Sequence, residues 1–145
     1  MPWEKNELFF AQIDQDGEIQ KIKKFSNKLI NAKKNVSFFQ PYWISKTLLV
    51  CSEDSSGWWN LLFLDVSEIE NIFIKKRVER NLIEYGAPQW VSGKAFFSGT
   101  IKNLFCVAKK ENSLIVEQYK DLEFVKEFST PVSYTHLTLP TIYSV

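Results

Sequence analysis

The chain has 145 residues, 45% of them hydrophobic and 15% aromatic, with 18 basic against 17 acidic side chains and a formal net charge of +1. That content excludes disorder, which requires low hydrophobicity and high net charge, and the length suffices for one domain with a real core. The balanced charge singles out neither nucleic acid nor an anionic membrane as a partner.

At the amino terminus, MPWEKNELFF shows no basic region followed by an apolar block, so no signal peptide is expected and the expected location is cytoplasmic. No apolar run approaches the ~20 residues of a membrane span. Residues 7–11 read as a strand, Asp14-Gln15-Asp16-Gly17 as a hairpin turn, and residues 19–25 as the returning strand. The acidic turn lacks the first and last ligands that a calcium loop requires. The basic runs Lys33-Lys34 and Lys75-Lys76-Arg77 have acidic residues close by and read as solvated loops or strand ends.

Pro41-Tyr42-Trp43 recurs as Pro88-Gln89-Trp90, 47 residues further on. After the first copy come a strand over residues 47–51, a polar turn over 52–57 and a strand over 58–66. A tight connection at Ser67-Glu68 then leads into a return over 69–74. After the second copy, strands are expected over 94–98, 104–108 and 114–119, with turns at Gly99-Thr100 and over 109–113 and a possible strand over 122–128. Residues 7–11 match residues 60–64 in pattern, which makes the opening hairpin a partial earlier copy. Ile74, Val78, Leu82 and Ile83 approximate helix spacing, so a single loop helix within residues 71–85 stays open as the competing reading.

The stretch SSGWWNLLFLD poses the architectural question. A strand points successive side chains to opposite faces, so Trp58, Leu62 and Leu64 face one way while Trp59, Leu61 and Phe63 face the other. Both faces are apolar. A repeat of ~40–50 residues built from short antiparallel strands is the mark of a β-propeller blade. Stacked blades cover each other's middle strands on both sides, so Trp58 and Trp59 are expected to be buried against different neighbours. Cys51 and Cys106 each sit inside an apolar run and read as small buried hydrophobes rather than a disulfide framework or metal site.

Reaction chemistry is not visible in the residues. Gly17, Gly57, Gly86, Gly93 and Gly99 form no G-x-S-x-G elbow and no phosphate-cradling loop. The only imidazole is His136. The pairs Glu53 and Asp54, and Glu68 and Glu70, fall in turns or strand ends and read as solubilising rather than as paired catalytic carboxylates. Accordingly, no catalytic, cofactor-binding or metal-ligating residue is assigned, and no cofactor is expected. Glu84-Tyr85-Gly86 carries a weaker flag. It lies in a connection where a carboxylate facing a cavity would attract a peptide's amino terminus, though an ordinary loop explains it more simply.

The last fifteen residues, PVSYTHLTLPTIYSV, carry no charge, an abrupt change from the Lys/Glu-rich text before them. They resemble translated cloning-adapter text, so residues 131–145 are expected to be a disordered foreign tail; an ordinary terminal strand is the alternative.

The phrases MPWEKNELFFAQIDQDG, FFQPYW, SEDSSGWWNLLFLD and EYGAPQWVSG are together similar to the propeller domain of the prolyl oligopeptidase family of serine peptidases, in its dipeptidyl-aminopeptidase and acylaminoacyl-peptidase-like branch. The resemblance covers residues 1–130 and departs where Ile44-Ser45-Lys46 stands for the SPDG-like turn of typical blades. It implies a propeller that caps an α/β-hydrolase catalytic domain, missing from this chain, and admits short peptide substrates while excluding folded proteins. The expectation is therefore an all-β chain: a partial β-propeller of two to three blades of four-stranded antiparallel sheet over residues 1–130, with Met1 at an internal position of a longer parent and no catalytic triad in the chain. Neither nucleic acid nor membrane is expected as a partner. The alternatives are a TolB-like or WD-repeat-like propeller acting as a protein-interaction scaffold and, last, a lectin-like sugar binder.

Overall fold

A computed structural model describes residues 6–30, 35–80, 82–87 and 93–133. The chain opens with a hairpin of β1 (Phe9–Ile13) and β2 (Ile19–Lys24), paired antiparallel as the first sheet. Its turn is built by Asp14. The carboxylate accepts hydrogen bonds from the N–H groups of Asp16 (3.0 Å) and Glu18 (2.9 Å), and Gly17 takes the positive φ of 86° that closes the turn. These backbone donors hold the Asp14 carboxyl below its ordinary range. The carboxylate is spent on the turn.

The second sheet is an antiparallel meander in the order β3 (Phe38–Trp43), β4 (Leu48–Glu53), β5 (Asn60–Asp65), β6 (Phe73–Val78). The third contains β7 (Ile83–Glu84), β8 (Phe97–Thr100), β9 (Asn103–Lys110), β10 (Ser113–Lys120) and β11 (Glu123–Ser133). It runs β11-β10-β9, and β8 and β7 share the remaining edge of β9. Among the described residues there is no α-helix, and residues 71–85 contain β6 and β7 in place of the competing loop helix.

Two separate cores explain the doubly apolar strands. Leu48, Val50, Leu61 and Phe63 pack with Leu104, Cys106, Ile115 and Tyr119 of the third sheet. Leu49, Cys51, Leu62 and Leu64, the alternate residues of the same two strands, pack with Leu8, Phe10 and Phe25 of the opening hairpin and its flanks. The second sheet is thus the middle slab of a stack, and residues 61–64 are fully buried whichever way they point. At roughly 1.5–3 kcal/mol for each such side chain, both faces contribute. This is the arrangement of consecutive propeller blades, and the chain is a partial β-propeller.

Several boundaries differ from the sequence expectation. The strand expected over 58–66 begins only at Asn60. Asn60 Nδ2 donates to Ser56 Oγ (2.6 Å) and to the Trp58 carbonyl (3.1 Å), and Gly57 N–H closes a turn on the Asp54 carbonyl (2.9 Å). Trp58 and Trp59 therefore lie on the approach to β5 and are half-buried, not sealed between slabs. Gly99 sits inside β8 rather than in a turn; its φ is +127°, and a Cβ there would strike the Asn103 carbonyl oxygen, so only glycine fits. The turn expected over 109–113 tightens to Glu111-Asn112, with β9 and β10 paired up to Lys110 and Ser113.

The tryptophan motif does not mark the phase of the repeat. Trp43 ends β3, whereas Pro88-Gln89-Trp90 lies outside the described residues, ahead of the equivalent strand β8. Equivalent second and third strands start at Leu48 and Asn103, and at Asn60 and Ser113, both further apart than the motif spacing. A different pair is in phase: Leu49-Val50-Cys51 and Leu104-Phe105-Cys106 occupy corresponding places, each with its leucine and cysteine turned toward the preceding sheet. At the far end β11 continues through Pro131–Ser133, past Thr130, and residues 134–145, with His136, lie outside the described residues.

Candidate functional site

The polar chemistry of the chain gathers at the seam between the second and third sheets. β7 puts Glu84 opposite Lys109 at the surface, in a recess shared with Trp58, Leu82 and Glu111. The next residue, Tyr85, turns inward and is fully buried. Its hydroxyl donates to Glu117 Oε2 at 2.6 Å, the Tyr119 hydroxyl donates to the same oxygen at 2.8 Å, and Arg80 pairs with Oε1. Glu117 is itself fully buried, yet both carboxylate oxygens have partners. Arg80 reaches in from just beyond β6, its guanidinium lying 5.8 Å from the Phe124 ring centroid. Three segments of two sheets therefore meet on one carboxylate.

A second buried carboxylate, Glu53, lies at the end of β4 within the second sheet. Glu53 Oε1 accepts from Arg77 Nε (2.7 Å) and Oε2 from the Ser55 N–H (2.8 Å). The sequence reading made Glu53 and Asp54 solubilising. The structure corrects this for both: Glu53 is fully buried, and Asp54 Oδ1 is engaged by the Ser37 N–H at 2.7 Å. A strand-end carboxylate can be buried when turn amides and an arginine satisfy it. Burial pushes the Asp54 carboxyl above its ordinary range.

Along the same seam, bonds to backbone groups cross from one sheet to the next. The Ser52 hydroxyl donates to the Tyr85 carbonyl (2.6 Å), and the Tyr85 N–H donates to the Trp59 carbonyl (2.8 Å). Gln40, held at a φ of +48° in β3, accepts from the Phe96 N–H and donates to the Phe97 carbonyl (2.6 and 3.2 Å). The Ile101 N–H donates to the Ile44 carbonyl at 2.9 Å. Each of these crosses from one slab to the next.

This geometry fastens the second and third sheets together. Burial is the main cause that pushes both phenols, Tyr85 and Tyr119, well above the ordinary tyrosine range, so they remain protonated donors. Burial does the same to the thiols of Cys51 and Cys106, which are free and enclosed. A protonated, inaccessible thiol is not a nucleophile. Among the described residues, no group of three or more His, Cys, Asp or Glu side chains is arranged to hold a metal ion. No helix among the described residues is long and apolar enough to cross a membrane.

The flagged loop Glu84-Tyr85-Gly86 is thus split by the fold. Tyr85 belongs to the seam, Glu84 stays at the surface, and Gly86 gives room to Trp59, whose Cγ would lie 3.1 Å from a Cβ at that position. Sequence reasoning passed over Glu117. A signal was present: Ile115, Glu117 and Tyr119 share one face of a strand by period two, so an acid lies on an otherwise apolar face and needs a buried partner.

No family model matches the sequence, and no curated protein matches it. Among solved structures the chain is similar to a puromycin-hydrolysing peptidase of Mycobacterium tuberculosis, with 21% identity and a TM-score of 0.64, over 92% of this chain and 19% of that one. It is also similar to a mutant puromycin hydrolase complexed with PGG, with 22% identity and a TM-score of 0.66, over the same shares of 92% and 19%. The chain therefore spans about a fifth of the length of the structures it matches. At this identity the likeness is one of fold.

Proposed function

We propose that the chain belongs to the prolyl oligopeptidase family of serine peptidases, as a segment of the propeller that controls entry to an α/β-hydrolase catalytic domain. The observation that carries this reading is the stacked middle sheet with two dry faces, in a chain whose fold matches about a fifth of two peptide-bond-cleaving or puromycin-cleaving enzymes. The sequence phrases quoted above point to the same family independently of the coordinates.

The mechanism asked of this segment is steric. Slabs fastened by Glu117 and by the bonds of Gln40 and Ser52 to backbone groups, with Glu53 tying strands within the second sheet, form a stiff wall. A stiff wall around a narrow opening passes an extended peptide and stops a folded protein without contributing a catalytic group. The parent then hydrolyses short peptides or acylated amino termini, using a serine, a histidine and an aspartate supplied by the partner domain. A cytoplasmic location is part of this proposal, in keeping with two unpaired thiols at Cys51 and Cys106.

The test is to extend the coding sequence past Thr130 in the source DNA. A segment carrying G-x-S-x-G followed by an aspartate and a histidine is the expected result. A reading frame that continues as further blades with no hydrolase segment would overturn the peptidase assignment and favour the interaction-scaffold reading. Purified alone, the 145-residue chain is expected to leave aminoacyl-nitroanilide substrates uncleaved.

A further inference from the structure

Among the described residues, β8 pairs with β9 and with no other strand. An extended strand turns backbone N–H and C=O groups to both of its sides, so those that point away from β9 need partners from elsewhere. β3 of the second sheet supplies them. Gln40 accepts the Phe96 N–H on Oε1 (2.6 Å) and donates its amide to the Phe97 carbonyl (3.2 Å). Two residues on, the Tyr42 hydroxyl accepts from the Gly99 N–H (3.3 Å) and donates to the Gly99 carbonyl (3.2 Å). The Ile44 carbonyl then accepts from the Ile101 N–H at 2.9 Å. The Gln40 and Phe97 pair and the Tyr42 and Gly99 pair are each 57 residues apart, and Ile44 with Ile101 continues that spacing. β3 and β8 therefore run side by side in the same direction, joined as a parallel ladder is, except that side chains stand in for one backbone. Edge-on ring contacts of Phe39 with Phe96 (5.6 Å) and of Tyr42 with Phe97 (6.4 Å) lie along the same line. The arrangement also gives a reason for the backbone of Gln40. A φ of +48° is unfavourable for a residue with a Cβ, and Pro41 beside it has no N–H to offer. The carboxamide, a donor and an acceptor on one group, replaces a peptide unit.

We infer that Gln40 and Tyr42 form a clasp that keeps the second and third sheets from parting along β3 and β8, so that this seam is a fixed part of the wall and not a passage between sheets. Both strands lie within the chain and face each other, so the contact does not depend on what adjoins the outer sheets. The clasp differs in kind from the apolar core beside it. Apolar side chains can slide past one another, whereas paired hydrogen bonds at a constant spacing hold one register. What the closed seam means for a peptide's route rests on the peptidase reading; the clasp itself does not.

Two native thiols report the two seams separately. Cys106 is buried in the core between the second and third sheets, and Cys51 in the core between the hairpin and the second sheet. Each reacts with a soluble reagent only when its own seam opens or the whole chain unfolds. The test is the rate of N-ethylmaleimide labelling of each thiol in the full 145-residue chain, read by peptide mass spectrometry. Gln40→Leu combined with Tyr42→Phe is expected to label Cys106 roughly tenfold faster than wild type, from the loss of cross-seam hydrogen bonds, with Cys51 unchanged. Tyr42→Phe alone removes only the hydroxyl and is expected to give a smaller acceleration at Cys106. It carries the test if circular dichroism shows the double variant unfolded. Acceleration at Cys51 as large as that at Cys106 would make the two residues general stabilisers and overturn the inference. An unchanged rate at Cys106 in a folded variant would overturn it as well. Neither result bears on whether a hydrolase segment follows in the source DNA, so the two readings fail independently.

Discussion

Glu117 is the residue on which the seam turns. It takes two phenol hydrogen bonds and one guanidinium in a place without solvent. Removing it leaves the two buried phenol hydroxyls without their charged acceptor, at about 1.5–3 kcal/mol each, while the Arg80 side chain, 38% exposed, can turn to water. Glu117→Ala is accordingly expected to lower the urea-unfolding free energy by that order, whereas Glu79→Ala, on an exposed side chain beyond the strand, is expected to change it by about 0.5 kcal/mol or less. Equal effects of the two would contradict the role given to Glu117.

The buried phenols and thiols add a pH dependence at the same scale. Tyr85 and Tyr119 are raised above their ordinary 10.0, and Cys51 and Cys106 above their ordinary 9.0, with burial the leading cause in each. A group whose folded pKa is raised stabilises the fold fully below its unfolded pKa and loses that contribution as pH rises above it. Stability is therefore expected to be flat from neutrality to about pH 8.5 and to fall steadily beyond, as the unfolded thiols and then the phenols ionise. Denaturant midpoints measured from pH 7 to 11 check this, and a midpoint rising over that range would refute it. Tyr85 was flagged in the sequence only as part of a loop, and Tyr119 and Glu117 were not singled out, because a lone acid in a strand looks like any solvent-facing position until its face is known. The cysteines were placed correctly as buried hydrophobes from their apolar surroundings alone.

At the scale of elements, β5 distinguishes a stacked slab from an ordinary sheet. In a sheet with one wet face, truncating adjacent residues would alternate between costly and harmless. Here Leu61 belongs to one core and Leu62 to the other, both fully buried. Leu61→Ala and Leu62→Ala are each expected to cost about 2–5 kcal/mol, the usual range for a core leucine. A near-neutral result for either would mean that its face is not covered.

Those middle strands were also the most legible part of the sequence. Runs such as LLVC and NLLFLD have strand-length apolar blocks bounded by polar turns, and β4, β5, β9 and β10 fall where the pattern puts them. β3 was missed as a strand for a physical reason. Pro41 interrupts it, Gln40 takes a positive φ, and the register slips between Phe39 and Tyr42, so the alternation that betrays a strand is broken. The two-residue β7 is too short to leave any periodic trace. The repeat length was misjudged because tryptophan motifs drew attention, while the quieter Leu-x-Cys motif was the one in structural phase.

For the whole molecule, the outer faces of the hairpin and of the third sheet are exposed among the described residues. Stacked repeats draw stability from their neighbours, and terminal faces without neighbours contribute little. The uncovered hairpin, with β2 exposed along its length, is the weakest slab. The isolated chain is expected to be poorly soluble or marginally folded, and calorimetry that found a soluble monomer melting cooperatively above about 60 °C would contradict this.

The central claim is that the second sheet is a slab covered on both faces. Native-state hydrogen exchange of the full chain tests it most directly, through β5 and β10, each of which has a strand on either side. The account predicts that the amides of β5, dry on both faces, exchange the slowest in the molecule and at least tenfold more slowly than those of β10, which is covered on one. Exchange in β10 as slow as in β5, or slower, would contradict it.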